Sequence, residues 1–128
     1  MAQKPLKLMI VDDSNIIRSK ITRTLSQHHM EVVATASNGE EAISLFAINK
    51  PDVVTMDLTM PRMDGLECIR ALHKLNPDAH ILVVSALADK TTAIQALKEG
   101  AQGFLCKPFS EGDLTEAMDE LLGEDSHG

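Results

Sequence analysis

Five short apolar runs recur along this chain, each followed by a stretch whose apolar residues return every three or four positions, and that alternation leaves few folds open. The runs fall at residues 8–11, 31–36, 53–57, 81–85 and 103–107. Residues 81–84 read Ile-Leu-Val-Val without a break, which predicts a strand buried on both faces. After the first run, Asp12, Asp13, Ser14 and Asn15 are helix-capping types, and Ile17, Ile21 and Leu25 share one helical face. That helix is expected to close near His28 and His29, where its dipole favours positive charge. A second helix opens at Asn38-Gly39 with Glu40 and Glu41 in its first turn and carries Ala42, Ile43, Phe46 and Ala47. The third runs from Gly65 through Leu66, Ile69, Leu72 and Leu75 to a stop at Asn76-Pro77. A fourth starts near Asp89, carries Ala93, Ile94 and Leu97, and ends on a Gly100 cap. The last starts near Ser110 and carries Leu114, Met118, Leu121 and Leu122. The predicted fold is therefore α/β: a five-stranded parallel sheet with helices on both faces.

Right-handed crossovers bring the carboxyl ends of all five strands to one edge, where open α/β sheets bind ligands. The residues that end there are Asp12 and Asp13 on the first strand, Asp57 on the third, Ser85 on the fourth and Lys107 on the fifth. Each alone has an ordinary reading as a cap, a strand-end hydroxyl or a surface lysine; together they form a chemically coherent set. Three carboxylates in one place repel one another unless a cation neutralises them. An all-oxygen donor set in a loop suits Mg²⁺ better than a soft metal. Lys107 and Ser85 offer a point charge and a hydroxyl for phosphoryl oxygens, which leaves Asp57 free to attack phosphorus. The inferred chemistry is phosphoryl transfer to a carboxylate, giving an aspartyl phosphate.

Composition removes several classes. A chain of 128 residues is expected to be one domain, residues 1–128, with no repeat or linker. With a net charge of −7, nucleic acid is not expected as a partner. After Lys107 there is no Lys or Arg, while Glu111, Asp113, Glu116, Asp119, Glu120, Glu124 and Asp125 follow. Those acids read as a solvated helix face and tail, or more sharply as a docking surface for a basic partner. Cys68 and Cys106 lack CxxC spacing and read as free thiols. Nothing resembles a secretory signal or approaches the ~18–20 apolar residues of a membrane span, so a cytoplasmic location away from membranes is expected.

The residues Asp12-Asp13-Ser14, Asp57 with Met60-Pro61 and Met63-Asp64-Gly65, Ser85-Ala86, and Lys107-Pro108 resemble the receiver domain of two-component response regulators. The likeness spans nearly the whole chain and is nearest the stand-alone, CheY-like chemotaxis type. It implies a flavodoxin-like (βα)₅ fold with strand order 2-1-3-4-5. It implies that Asp57 takes phosphate from a histidine kinase or phosphotransfer protein, and that Mg²⁺ is held by Asp13 and Asp57 directly, Asp12 through water, and the backbone carbonyl of Thr59. Ser85 and Lys107 would hold phosphoryl oxygens, and the Lys107–Pro108 peptide would be cis. Ser85, Ala86 and Phe104 would form a switch between the pocket and the face made by the fourth helix, fifth strand and fifth helix, where an output protein such as the flagellar motor switch would bind. Three departures from the family pattern matter, and the first, Ser85 where threonine is also common, is conservative. Phe104 stands in place of a tyrosine and has no hydroxyl to bond on either side of a switch. Leu87 is apolar where a side chain could orient water, which implies slow self-dephosphorylation.

Other readings remain: a phosphate shuttle or sink between kinases, or a receiver cut from a larger regulator. The polar tail from Gly123 to Gly128 reads as a natural end. A flavin-binding electron carrier can share this fold, but it needs a hydroxyl-rich phosphate cradle after the first strand and a ring to stack on the flavin. Here that loop is Asp12-Asp13, and the chain has no Trp or Tyr.

Overall fold

The computed structural model describes residues 4–60, 63–87 and 89–123. Strands and helices alternate throughout: β1 (Leu6–Val11), α1 (Asn15–Leu25), β2 (Met30–Ala36), α2 (Gly39–Asn49), β3 (Val53–Met56), α3 (Gly65–Leu75), β4 (His80–Ser85), α4 (Lys90–Glu99), β5 (Gly103–Cys106) and α5 (Glu111–Leu121). Every strand pair is parallel and the order is β2-β1-β3-β4-β5. The central strands are apolar on both faces because helices cover both. Met9, Val11, Val54, Met56, Ile81 and Val83 point to the side packed by Phe46, Ile69, Leu72 and Ala96. Leu8, Ile10, Val53, Leu82 and Val84 point to the other, against Ile21, Leu25, Leu114 and Met118. This two-residue alternation builds two separate cores on one sheet.

Helix starts follow the capping residues. Ser14, Asn38, Asp64, Asp89 and Ser110 each accept from the N–H three residues on, satisfying a donor the helix cannot. In α4, Gly100 at φ 128 supplies the cap that an L side chain rarely adopts. Two expectations are corrected. Helix α1 closes at Leu25, with Ser26 as its cap, so His28 and His29 lie in the turn beyond it. His29 takes a left-handed φ of 62, reversing the chain so that its carbonyl accepts from the Leu6 N–H at the start of β1. The apolar spacing of α4 also misleads: Ala96 is its buried residue, while Ile94 and Leu97 are 44% and 50% exposed. A small side chain is what lets this helix seat against the core. Pro61, the turn residue expected after β3, and the tail acids Glu124 and Asp125 lie outside the described residues.

Both cysteines are free; burial, with the charge of Asp64 second, pushes the Cys68 thiol up to about 12. Among the described residues, no helix is long and apolar enough to cross a membrane. Thr55, mid-β3 between Ile10 and Leu82, is buried, and its hydroxyl has no hydrogen-bond partner among the described residues. Thr55→Val, nearly isosteric and well suited to a strand, is expected to raise the free energy of unfolding in urea by about 1 kcal/mol. A decrease would mean that the hydroxyl is satisfied.

Candidate functional site

The sheet ladder continues one residue past β1, β3 and β5, and there it presents polar side chains. The Asp57 N–H bonds the carbonyl of Val11 at 2.9 Å, and the Asp12 N–H bonds that of Ala36 at 3.0 Å. The Lys107 N–H bonds the carbonyl of Ser85 at 2.9 Å. These residues therefore stand on sheet hydrogen bonds, although each lies in a connecting segment. Asp13, one step further out, is exposed on the rim.

Carboxylate oxygens of Asp12, Asp13 and Asp57 lie within 4.8 Å of one another, with Asp12 and Asp57 buried to 1% and 2% exposure. The Lys107 ammonium is 2.9 Å from Asp12 Oδ2 and 3.8 Å from Asp57 Oδ2. Two strands separate β1 from β5, and the four-carbon lysine stem bridges them over the sheet edge. Burial pushes the Asp57 carboxyl above its ordinary value, and the neighbouring Asp12 and Asp13 charges act the same way. The Thr59 N–H at 3.2 Å from Oδ1 and the Lys107 charge oppose that rise without cancelling it. The Thr59 hydroxyl also reaches Asp57 Oδ1, at 3.3 Å. Three carboxylates thus face one ammonium, a surplus of negative charge built from hard oxygen donors, and such a set fits a divalent cation of the Mg²⁺ or Ca²⁺ kind.

The cap and first turn of α1 hold Asp12 by its carboxylate and by its backbone carbonyl. The Ser14 N–H donates to Asp12 Oδ1 at 2.9 Å, and the Arg18 guanidinium donates to the Asp12 carbonyl. Gly65 opens α3 directly against the loop that follows β3, its N–H bonded to the carbonyl of Leu58 at 3.1 Å. Ser85 is fully buried at the end of β4, and its hydroxyl accepts from the Leu87 N–H at 3.0 Å. Phe104 is half-buried against the core that holds Val83, Ala86 is exposed, and Leu87 is 41% exposed. The Lys107–Pro108 peptide is cis.

All the strand-end residues expected from the sequence therefore meet at one edge. What the sequence did not reveal is that Lys107 already pairs with Asp12, nor the part of Arg18 and Gly65. The Lys107 pair joins residues 95 positions apart, and no local pattern marks it. Gly65 was readable as turn chemistry, but not as a contact with the Asp57 backbone.

Residues 8–119 match the model of the response regulator receiver domain. The chemotaxis protein CheY of Listeria monocytogenes is 40% identical over 115 residues, 90% of this chain and 97% of that protein. CheY of Thermotoga maritima is 37% identical over 90% of this chain and 96% of its own length. Among solved structures, the CheX–CheY–BeF₃–Mg²⁺ complex of Borrelia burgdorferi superposes with a TM-score of 0.87 at 28% identity, covering 92% of this chain and 90% of that one. With its five-strand order, its edge of three aspartates and lysine, and these relatives in agreement, the chain belongs to the response regulator receiver domain family.

Proposed function

We propose that this receiver, a phosphorylation-dependent signalling switch, takes its phosphoryl group on Asp57 from the phosphohistidine of a sensor kinase or phosphotransfer protein and serves chemotaxis in the cytoplasm. The observation that carries this is a buried carboxylate at the sheet edge, with an ammonium 3.8 Å away and two further carboxylates beside it. An Asp57 oxygen attacks phosphorus as the bond from phosphorus to the donor's imidazole nitrogen breaks, leaving a mixed anhydride on Asp57 and a neutral histidine once the ring is protonated. Asp13 and Asp57, with the Thr59 carbonyl, would hold Mg²⁺ directly, and Asp12 would hold it through water. When bound, the ion supplies positive charge to the phosphoryl oxygens. Lys107 leaves its pairing with Asp12 to hold a peripheral phosphoryl oxygen. The CheY structure from Borrelia, which contains BeF₃ and Mg²⁺, supports this reading.

The Ser85 hydroxyl, now accepting from Leu87, would turn to donate to the new oxygen. Space would open beside Ala86, and Phe104 would move further into the core it already touches, altering the face of α4, β5 and α5 that an output protein reads. Phe104 has no hydroxyl, so a partner at this face reads shape and not a phenol bond; the flagellar motor switch is one such candidate. The test is incubation with magnesium and acetyl phosphate followed by intact-mass measurement. Gain of one phosphoryl group supports the proposal, and an unchanged mass overturns it.

Leu87 sets a second expectation. Its apolar side chain at the rim cannot orient a water toward phosphorus, so Leu87→Glu is expected to speed loss of the phosphoryl group several-fold, within the ~10²-fold lower range for a positioned acid or base. Decay of the purified phosphorylated proteins, followed by electrophoretic mobility, measures this; equal rates would remove the role assigned to Leu87.

A further inference from the structure

Lys107 lies on a short connection whose two ends are fixed differently. At the front, its own N–H is bonded to the carbonyl of Ser85. Behind, a reciprocal capping box closes the start of α5: the Asp113 N–H donates to Ser110 Oγ, and the Ser110 N–H donates to Asp113 Oδ2, both at 3.0 Å. Between them, the Phe109 ring is 5% exposed and belongs to the core on the α1 and α5 side of the sheet. The Phe109 carbonyl is held by one side chain from elsewhere in the fold. The ammonium of Lys20, on α1, donates to it and stands 4.5 Å from the centre of the Phe109 ring. Hydrogen bonds from the Ser110 backbone and side chain hold the capping carboxylate of Asp113 below the usual range, and the Lys20 charge adds to them in a smaller way.

The α1 segment therefore holds one partner of the ion pair, Asp12, through the Ser14 N–H and Arg18, and the connection that carries the other, Lys107, through Lys20. Resting on the function proposed above, we propose that Lys20 is a positioning residue for phosphoryl transfer, which sets the reach of Lys107 by clamping the Phe109 carbonyl and ring to α1. Lys20 itself does not touch the carboxylates. Its effect passes through Lys107, and removing Lys107 removes the effect.

A double-mutant cycle on the full chain tests this, with initial rates of phosphorylation by acetyl phosphate and magnesium read by intact mass. Lys20→Met keeps the stem and loses the ammonium, and is expected to slow the reaction about five- to tenfold, as small misplacements of a charged group do. Magnesium affinity, measured by calorimetry, is expected to stay within about twofold, because no metal-ligating carboxylate touches Lys20. Lys20→Arg, which keeps a donor and a cation, is expected to restore most of the rate. In a Lys107→Ala background, followed over longer times, Lys20→Met is expected to change nothing further. A purely structural role would lower the rate equally in both backgrounds. That result, or an unchanged rate for Lys20→Met alone, overturns the proposal; Lys20→Gln enters the same cycle if the Met variant does not fold. Should the parent chain gain no phosphoryl group, the failure lies with the function on which the proposal rests, and the proposal falls with it.

Discussion

Replacing Asp57 with Asn is expected to do two opposite things: end phosphorylation, and make the magnesium-free protein more stable at neutral pH. The first follows because an amide oxygen is not a nucleophile toward phosphorus under these conditions and no other residue takes the same place just past the end of β3. The second follows from electrostatics. Asp57 is buried beside Asp12 and Asp13, and burial raises its carboxyl above the ordinary value. A folded state that holds a proton more tightly than the unfolded chain gains stability as pH falls through the folded value, with the gain complete below the unfolded one. At any pH above the unfolded value, the raised folded value makes the carboxylate a cost to folding. Asn keeps the shape, accepts from Thr59 as the carboxylate does, and removes that cost, on the order of 1–2 kcal/mol. Urea denaturation of both proteins in EDTA, from pH 4 to pH 8, should show the variant more stable at the upper end and the two converging toward the lower. Magnesium should reverse the order, because ligand binding stabilises only the protein that binds it well. A less stable variant in EDTA at pH 8 would refute the account of the site as strained by its own charge.

The second large effect is expected at Gly65. A Cβ there would lie 2.6 Å from the Asp57 carbonyl oxygen and 2.6 Å from the Leu58 Cα, both backbone atoms that cannot rotate away. Gly65 is the first residue of α3, where Ala would otherwise gain up to about 1 kcal/mol of helix propensity. The steric term is larger. Gly65→Ala is expected to destabilise the protein by about 2–3 kcal/mol and to slow phosphorylation tenfold or more, since the fold can admit the methyl only by shifting the acceptor loop. Equilibrium unfolding and the acetyl phosphate assay measure the two effects. A stabilised, fully active variant would show that propensity wins and that the close approach carries no weight.

How much of this was legible in the sequence depends on the range of each interaction. Strands, helix starts and the parallel arrangement were readable because apolar period and capping residues are local: Ser14, Asn38, Asp64, Asp89 and Ser110 each announce a helix within three residues. The meeting of Asp12, Asp13, Asp57, Ser85 and Lys107 followed from alternation and crossover handedness alone. The strand order did not; it came with the family resemblance. The end of α1 was misplaced because a histidine pair suits a helix dipole in principle, whereas the chain needed a reversal there to align β2 with β1. The exposure of Ile94 and Leu97 was hidden because helical spacing shows that residues share a face, not whether anything covers it. The clamp from Lys20 to Phe109 joins residues 89 positions apart and had no local signature.

The shallow seating of α4 has a consequence for how such a molecule can speak to others. Helices α3 and α5 are each anchored by two large buried side chains, Ile69 with Leu72 and Leu114 with Met118, whereas α4 places one alanine fully inside. Tilting or sliding it opens little apolar surface to water, so the work of re-orienting it is small beside that of moving any other helix. A modest push delivered at the far end of β4 would therefore be felt first on that outer flank, where Ile94 and Leu97 already wait in solvent as handles.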